Sequence, residues 1–303
     1  MSVTASRSGA KRERKVQRRG LIFSGMVILF IWAVTLTVMA GLGFALFRAH
    51  DVYSAGAADT AAVDSAMPLL EPVLYEHSKL QASRKVAIII DDLGGDLAVA
   101  RKVLEMKVPL TLAVLPYQTG SYEVALEAAR RGRQVILHLP LQPRGYPALD
   151  PGPGSLLVYM DRAKMQTDLD VLISSLPACV GVSNHMGSLF TEKRQPMTWV
   201  FSVLRERNLF FVDSLVTPDS VAREVAESLG VRFAARTHFL DEKRDEDLVV
   251  RQLCRLADYA ARQGVGLGVG HPYPETLAAI PKALSAFAEK GVEIVPVSEI
   301  VFP

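Results

Sequence analysis

Residues 86–95 read VAIIIDDLGG. Five apolar residues run without a break into two aspartates and a glycine pair. An unbroken apolar run rich in β-branched residues describes a strand buried on both faces. The glycine pair turns the chain, and the pattern from 96 to 106 is helical. The unit is a strand, an acidic turn and a helix.

The same unit recurs outward to the end of the chain. Further strand candidates are 109–115, 134–140, 179–186, 209–214, 231–237, 265–271 and 292–298. Helix candidates alternate with them near 96–106, 120–132, 161–176, 197–207, 218–229, 245–263 and 275–290. Buried strands alternating with helices make a parallel α/β sheet, and seven or eight such units predict a (β/α) barrel. An open doubly wound sheet is the alternative. The one long excursion, 141–160, holds four prolines and three glycines and reads as a functional loop at a strand end.

Upstream the pattern differs. Residues 1–20 hold seven Lys or Arg against one Glu, and residues 21–47 hold no charge at all. Twenty-seven apolar or neutral residues exceed the roughly 20 that cross a bilayer as a helix and exceed a cleavable signal core. The expectation is a basic cytoplasmic tail (1–20), a transmembrane anchor (21–47), a linker (48–83) and a barrel domain (84–303). The positive-inside rule then places the barrel domain outside the cytoplasm, in the periplasm or cell exterior of a bacterium.

Lys plus Arg total 34 and Asp plus Glu 32, so the body after residue 20 is mildly acidic. No basic patch suited to nucleic acid is indicated. Half the residues are apolar, which excludes wholesale disorder. Two cysteines, Cys179 and Cys254, exclude a disulfide scaffold; two buried thiols are the expectation and a bridge the alternative. The sequence contains no Walker A motif and no G-x-S-x-G elbow. The glycines at 264, 266, 268 and 270 lack dinucleotide spacing and read as close packing.

Polar residues gather at strand ends. Asp91 and Asp92 end the first strand, His138 lies near the end of the third, Asn184 and His185 end the fourth, Asp213 the fifth and His271 the seventh. In a parallel barrel these ends converge on one rim, where active sites sit. Each has a plainer reading. Asp91–Asp92 and Asp213 read equally as turn and helix-cap residues, Asn184 as the cap of its own turn, and a single His as a satisfied core group. Together they are costly to bury without a cation or a reaction to serve. An aspartate with two histidines suits Zn²⁺ or a similar divalent cation.

The runs IIIDDLGG, HLPLQP, GVSNHMGSLFT, VDS, HFLD and GVGHPYPET resemble, in order and spacing, the divergent polysaccharide deacetylase family. That family is a branch of the NodB-homology carbohydrate esterases. The resemblance covers about residues 86–300. It implies a distorted (β/α) barrel of seven or eight units and metal-dependent N-deacetylation of envelope carbohydrate. It implies Asp91 as general base, Asp92 as metal ligand and His271 as general acid. The family's second motif, His-x-x-x-His, departs here: His138 is followed at the fourth position by Gln142. His185 is the candidate replacement ligand beside Asp92 and His138. Asn184, Asp213, Arg236 and Asp241 are candidates for orienting the site or binding substrate.

The expected function is a membrane-anchored hydrolase that removes acetyl groups from an N-acetylated polysaccharide or sugar using a divalent metal, Zn²⁺ first. The alternative is an envelope protein that binds glycan or a partner in the same groove without turnover. A two-carboxylate glycosidase using Asp91 and Asp213 is a third reading.

Overall fold

The computed structural model describes residues 84–302. The expected tail, anchor and linker, residues 1–83, lie outside the described residues. Among the described residues no helix is long and apolar enough to cross a membrane.

Among the described residues nine strands and seven α-helices follow the expected alternation, except that no helix separates the sixth and seventh strands. The strands are β1 (Arg84–Leu93), β2 (Thr111–Val114), β3 (Gln134–Leu141), β4 (Cys179–Met186), β5 (Phe210–Asp213), β6 (Phe233–Ala235), β7 (His238–Phe239), β8 (Val265–Gly270) and β9 (Val292–Ile294). The helices are α1 (Leu97–Glu105), α2 (Ser121–Arg130), α3 (Arg162–Ser174), α4 (Arg194–Glu206), α5 (Ala222–Leu229), α6 (Glu246–Gln263) and α7 (Pro274–Glu289). Asp96 caps α1, its carboxylate accepting from the N–H groups of Ala98 at 2.8 Å and Val99 at 3.1 Å. That task therefore does not fall to Asp91 or Asp92.

The strands form one parallel sheet in the order β6-β5-β4-β3-β2-β1-β8-β7. The sheet curls but is not hydrogen-bonded shut, because β6 and β7 are its two edges. They hold three and two residues and follow each other directly in the chain. So the expected barrel is incompletely closed: β6 pairs only with β5 and β7 only with β8, two parallel segments joined by Arg236–Thr237 have no crossover long enough to pair with each other, and those two residues bridge the gap covalently. The last expected strand, 292–298, is also shorter. Only Val292–Ile294 pairs, with the lower half of β1. The chain then passes beneath the sheet, where Val297 N–H donates to Thr111 Oγ1 and Ser298 N–H to Gln134 Oε1, both at 3.0 Å.

Two apolar layers follow from the alternation along each strand. Val86, Ile88, Ile90, Leu137, Val182 and Phe211 face the helices. Ala87, Ile89, Ala113, Ile136, Phe210, Val212, Leu267 and Val269 fill the concave interior, with Val295, Val297, Ile300 and Val301 closing it below. Each of the valine, leucine, isoleucine and phenylalanine side chains contributes about 1.5–3 kcal/mol when fully buried, which is why the run 86–90 is apolar on both faces. The glycines of β8 serve packing. A Cβ on Gly266 or Gly268 would stand 2.9 or 2.7 Å from Leu256 of α6.

Candidate active site

Side chains alternate along a strand, so the inward-facing set can be followed upward to the C-terminal ends. After Ala87 and Ile89 comes Asp91, and after Ile136 comes His138. After Phe210 and Val212 comes Ser214, and after Leu267 and Val269 comes His271. On β4 Val182 faces the helices, which turns Ser183 and His185 inward. A polar layer thus sits directly on the apolar interior.

Asp92 breaks the alternation. Its φ is +57°, and the β1–β2 register shifts between Ile90 and Leu93. Aspartate tolerates this left-handed conformation better than most residues, at a cost of about 1–2 kcal/mol. The turn swings the carboxylate back over the strand end. Its Oδ1 lies 3.3 Å from His138 Nε2 and 3.0 Å from His185 Nδ1.

The two ring nitrogens are themselves 3.2 Å apart. These three atoms form a nearly equilateral triangle. Asp92 Oδ1 is buried and, among the described residues, has no hydrogen-bond partner of acceptable direction. The three ligand atoms therefore cluster round one point, with the two ring nitrogens also within hydrogen-bond reach of each other. Ligand atoms about 2.0–2.1 Å from a tetrahedral cation stand roughly 3.3 Å apart, so this Asp/His/His set fits a divalent cation with a position left open. The orientation of His138 is set from behind: its Nδ1 meets Ser183 Oγ at 2.8 Å, leaving Nε2 for the centre.

Gln142, four residues beyond His138, is no ligand. Its Oε1 accepts from Val158 N–H at 2.8 Å and pins the long loop down. His185, from the neighbouring strand, stands in the triangle instead.

Charge follows this geometry. Burial works against a charged Asp92, but the contacts and charge of His138 and His185 outweigh it and hold its carboxyl well below the usual range. Asp91 is buried more completely, and burial pushes its carboxyl up despite the nearby histidines. Its Oδ2 lies 3.6 Å from His138 Nε2, and its buried Oδ1 has no hydrogen-bond partner among the described residues.

His271 faces the same centre from β8. Its Nε2 is 3.6 Å from Asp92 Oδ2, and its Nδ1 is 3.0 Å from Asp241 Oδ1. Asp241 is buried and also receives the His271 N–H at 2.6 Å and the Thr276 hydroxyl at 2.7 Å. Gly270 permits this approach, since a Cβ there would lie 3.1 Å from Asp241 Oδ2. Burial lowers the His271 pKa, but the hydrogen bond and charge of Asp241, with the charges of Asp92 and Asp91, outweigh it, and the result is raised.

Three of the residues singled out in the sequence face elsewhere. Asn184 bridges strand ends: its Oδ1 accepts from Ser214 N–H at 2.8 Å and its amide donates to Met186 O at 2.9 Å. Asp213 organises its own turn, accepting from Leu215 N–H at 2.8 Å and Ser220 Oγ at 2.7 Å. Arg236 donates from Nε to Ser214 O at 2.6 Å and from Nη2 to Leu215 O at 3.0 Å. They brace the rim. Their inward neighbours Ser183 and Ser214, both buried, went unnoticed in the sequence. The period-2 count from His185 and from Val212 would have found them. Cys179 and Cys254 are unbridged. His238 packs edge-on against Tyr259 of α6.

A curled parallel α/β sheet carrying an Asp/His/His cluster and an Asp–His pair with a buried aspartate on its C-terminal rim defines a deacetylase-like fold with a candidate cation site. The chain belongs to the divergent polysaccharide deacetylase family, whose family model matches residues 88–301. It is 32% identical over 208 residues to an uncharacterized protein of Haemophilus influenzae, spanning 69% of this chain and 74% of that one. It is 33% identical over 193 residues to the uncharacterized protein YibQ of Escherichia coli, spanning 64% and 60%. Among solved structures, an uncharacterized protein of Agrobacterium tumefaciens superposes with a TM-score of 0.67 at 27% identity, over 73% of this chain and 94% of that one.

Proposed function

We propose that this protein is a membrane-anchored, extracytoplasmic hydrolase that removes acetyl groups from N-acetylated envelope carbohydrate. The observation that carries the reading is the convergence of Asp92, His138 and His185 on one point that Asp91 and the Asp241–His271 pair also face. The three ligands would hold a divalent cation, with Zn²⁺ the first choice from the Asp/His/His donor set. Such a cation, when bound, polarises a carbonyl and makes water acidic enough to lose a proton near neutral pH.

The chain's own groups handle the protons. Asp91 Oδ1 is an acceptor without a partner among the described residues, and its raised pKa suits a base that takes a proton from the attacking water. His271 Nε2, kept protonated by Asp241, gives a proton to the departing amine nitrogen. The carbonyl carbon gains a bond to oxygen and the C–N bond breaks. Acetate and a free amino sugar leave. Residues 21–47, uncharged and preceded by seven basic residues, support attachment at the outer face of the bacterial inner membrane.

The test is acetate release from N-acetylated oligosaccharides by the purified full-length chain, with bound metal measured in parallel. Turnover that chelator abolishes and divalent cation restores is the expected result. Glycan binding that survives chelator with no turnover would overturn the reading and select the non-catalytic alternative.

A further inference from the structure

The His271 imidazole is held by more than its hydrogen bond. Phe239 stands edge-on to it, with centroids 5.6 Å apart and planes at 84°. Tyr273 lies almost parallel to it, at 5.2 Å and 27°. The guanidinium of Arg244 lies over the Tyr273 ring, with Cζ 3.8 Å from the centroid. Imidazole and guanidinium therefore both pack on the phenol ring.

The chain origins of these groups explain the arrangement. Tyr273 lies two residues beyond His271, on the segment that leads into α7. Asp241 and Arg244 belong to the loop between β7 and α6. That loop grips the His271 segment twice, by a carboxylate on the imidazole and by a guanidinium on the tyrosine. The two grips do different things. A ring tied through Nδ1 alone can still swing its Nε2 through an arc about the hydrogen bond. A ring face packed against the imidazole stops that swing. A planar guanidinium stacks on tyrosine as a compact ammonium does not.

We infer that Tyr273, capped by Arg244, is a positioning residue that holds the His271 imidazole plane and keeps Nε2 directed at the cation-site carboxylate. This rests on the reading of His271 as the proton donor. Tyr273 supplies a ring face, so its hydroxyl is dispensable and its aromaticity is not.

The experiment compares Tyr273→Phe, Tyr273→Leu and Arg244→Lys with the wild-type full-length chain. Tyr273→Phe keeps kcat close to the wild-type value and above that of Tyr273→Leu. Tyr273→Leu lowers kcat by about 2- to 12-fold, the strength of one aromatic contact, with KM and bound metal unchanged. Arg244→Lys lowers kcat by less. A second readout is the His271 ring resonance in ¹³C-histidine-labelled protein, assigned by its loss in His271→Gln. The resonance moves in Tyr273→Leu, as the ring current is removed, and stays in place in Tyr273→Phe. A Tyr273→Leu variant with wild-type kcat would overturn the inference whatever its resonance does. So would a Tyr273→Phe variant as impaired as Tyr273→Leu. If the wild-type chain releases no acetate, the deacetylase reading fails, and the resonance alone then decides the packing.

Discussion

His138 Nε2 and His185 Nδ1 lie 3.2 Å apart although the two residues are not register partners. His138 pairs with Ser183 and His185 with Pro140. The histidines are diagonal neighbours on one face of the β3–β4 ladder. Such neighbours lie about 7–8 Å apart at the backbone, so their side chains lean together to close the gap. Two nitrogen lone pairs repel at that distance unless a proton or a cation lies between them.

Asp92→Asn and His185→Ala should both lose tightly bound divalent cation. Asparagine keeps the left-handed backbone at position 92 while removing the charge, so Asp92→Asn should remain folded by circular dichroism. Metal content by elemental analysis reads the result. Variants that retain one equivalent of metal would remove Asp92 and His185 from the site.

Ser183→Ala should weaken metal binding without unfolding the protein. It removes the partner that holds His138 Nδ1 and so frees the ring. Loss of such a supporting contact lowers affinity by about 10–100-fold. Competition with a chelating dye measures it, and an affinity equal to wild type would show that β3 alone orients His138.

Asp241→Asn should lower kcat by about 10²–10⁴-fold at unchanged metal content. The amide can present its N–H to His271 Nδ1 and so favour the wrong tautomer. It also no longer stabilises the imidazolium. Acetate release at saturating glycan is the measurement, and a loss under threefold would exclude Asp241 from the proton path.

Asp213 gives a stability prediction with a definite sign. Burial pushes its carboxyl up, against the pull of Ser220, the Leu215 N–H, Arg236 and Arg223. A raised folded-state pKa means that its stabilising contribution is fully present below the unfolded-state value. That contribution is lost as pH rises through the folded-state value. Asp213→Asn keeps the Leu215 N–H bond on its amide oxygen, turns the Ser220 bond round so that the amide donates to the hydroxyl, and carries no titration. Its unfolding free energy should therefore gain on wild type as pH rises through that window and run parallel elsewhere. Parallel curves at every pH, from urea unfolding, would refute the assignment.

Gly181→Ala tests the packing under the site. Gly181 is paired with Phe210, and a Cβ there would strike the Phe210 ring. Overpacking of this kind costs about 1–3 kcal/mol, and a thermal midpoint lowered by several degrees is expected.

The fold was legible because its signals are local. Apolar runs such as 86–90 and the helical stretches between them depend on residues within a few positions, and each expected element is present within a few residues of its expected ends. Closure was not legible. The expected strand 231–237 is instead split into β6, which pairs with β5, and β7, which pairs with β8, and pieces three and two residues long are below the length at which alternation can be read. Gln142 was recognised as a departure at the fourth position after His138. Its work on Val158 N–H is a contact across the loop that no spacing encodes.

The chain's order of residues determined by itself the strand–helix alternation, the basic head before an uncharged stretch, and the gathering of Asp91, Asp92, His138, His185 and His271 at strand ends. Tertiary structure decided which neighbour at each end faces inward: Ser183 rather than Asn184, Ser214 rather than Asp213, and both Asp91 and Asp92 through the turn at φ +57°. It also decided that Asp241 reaches His271 from 30 residues away. The physical reason is the two-residue period of a strand. One residue of bulge or register moves a side chain to the opposite face, and the ladder partners that set the register lie far away in the chain.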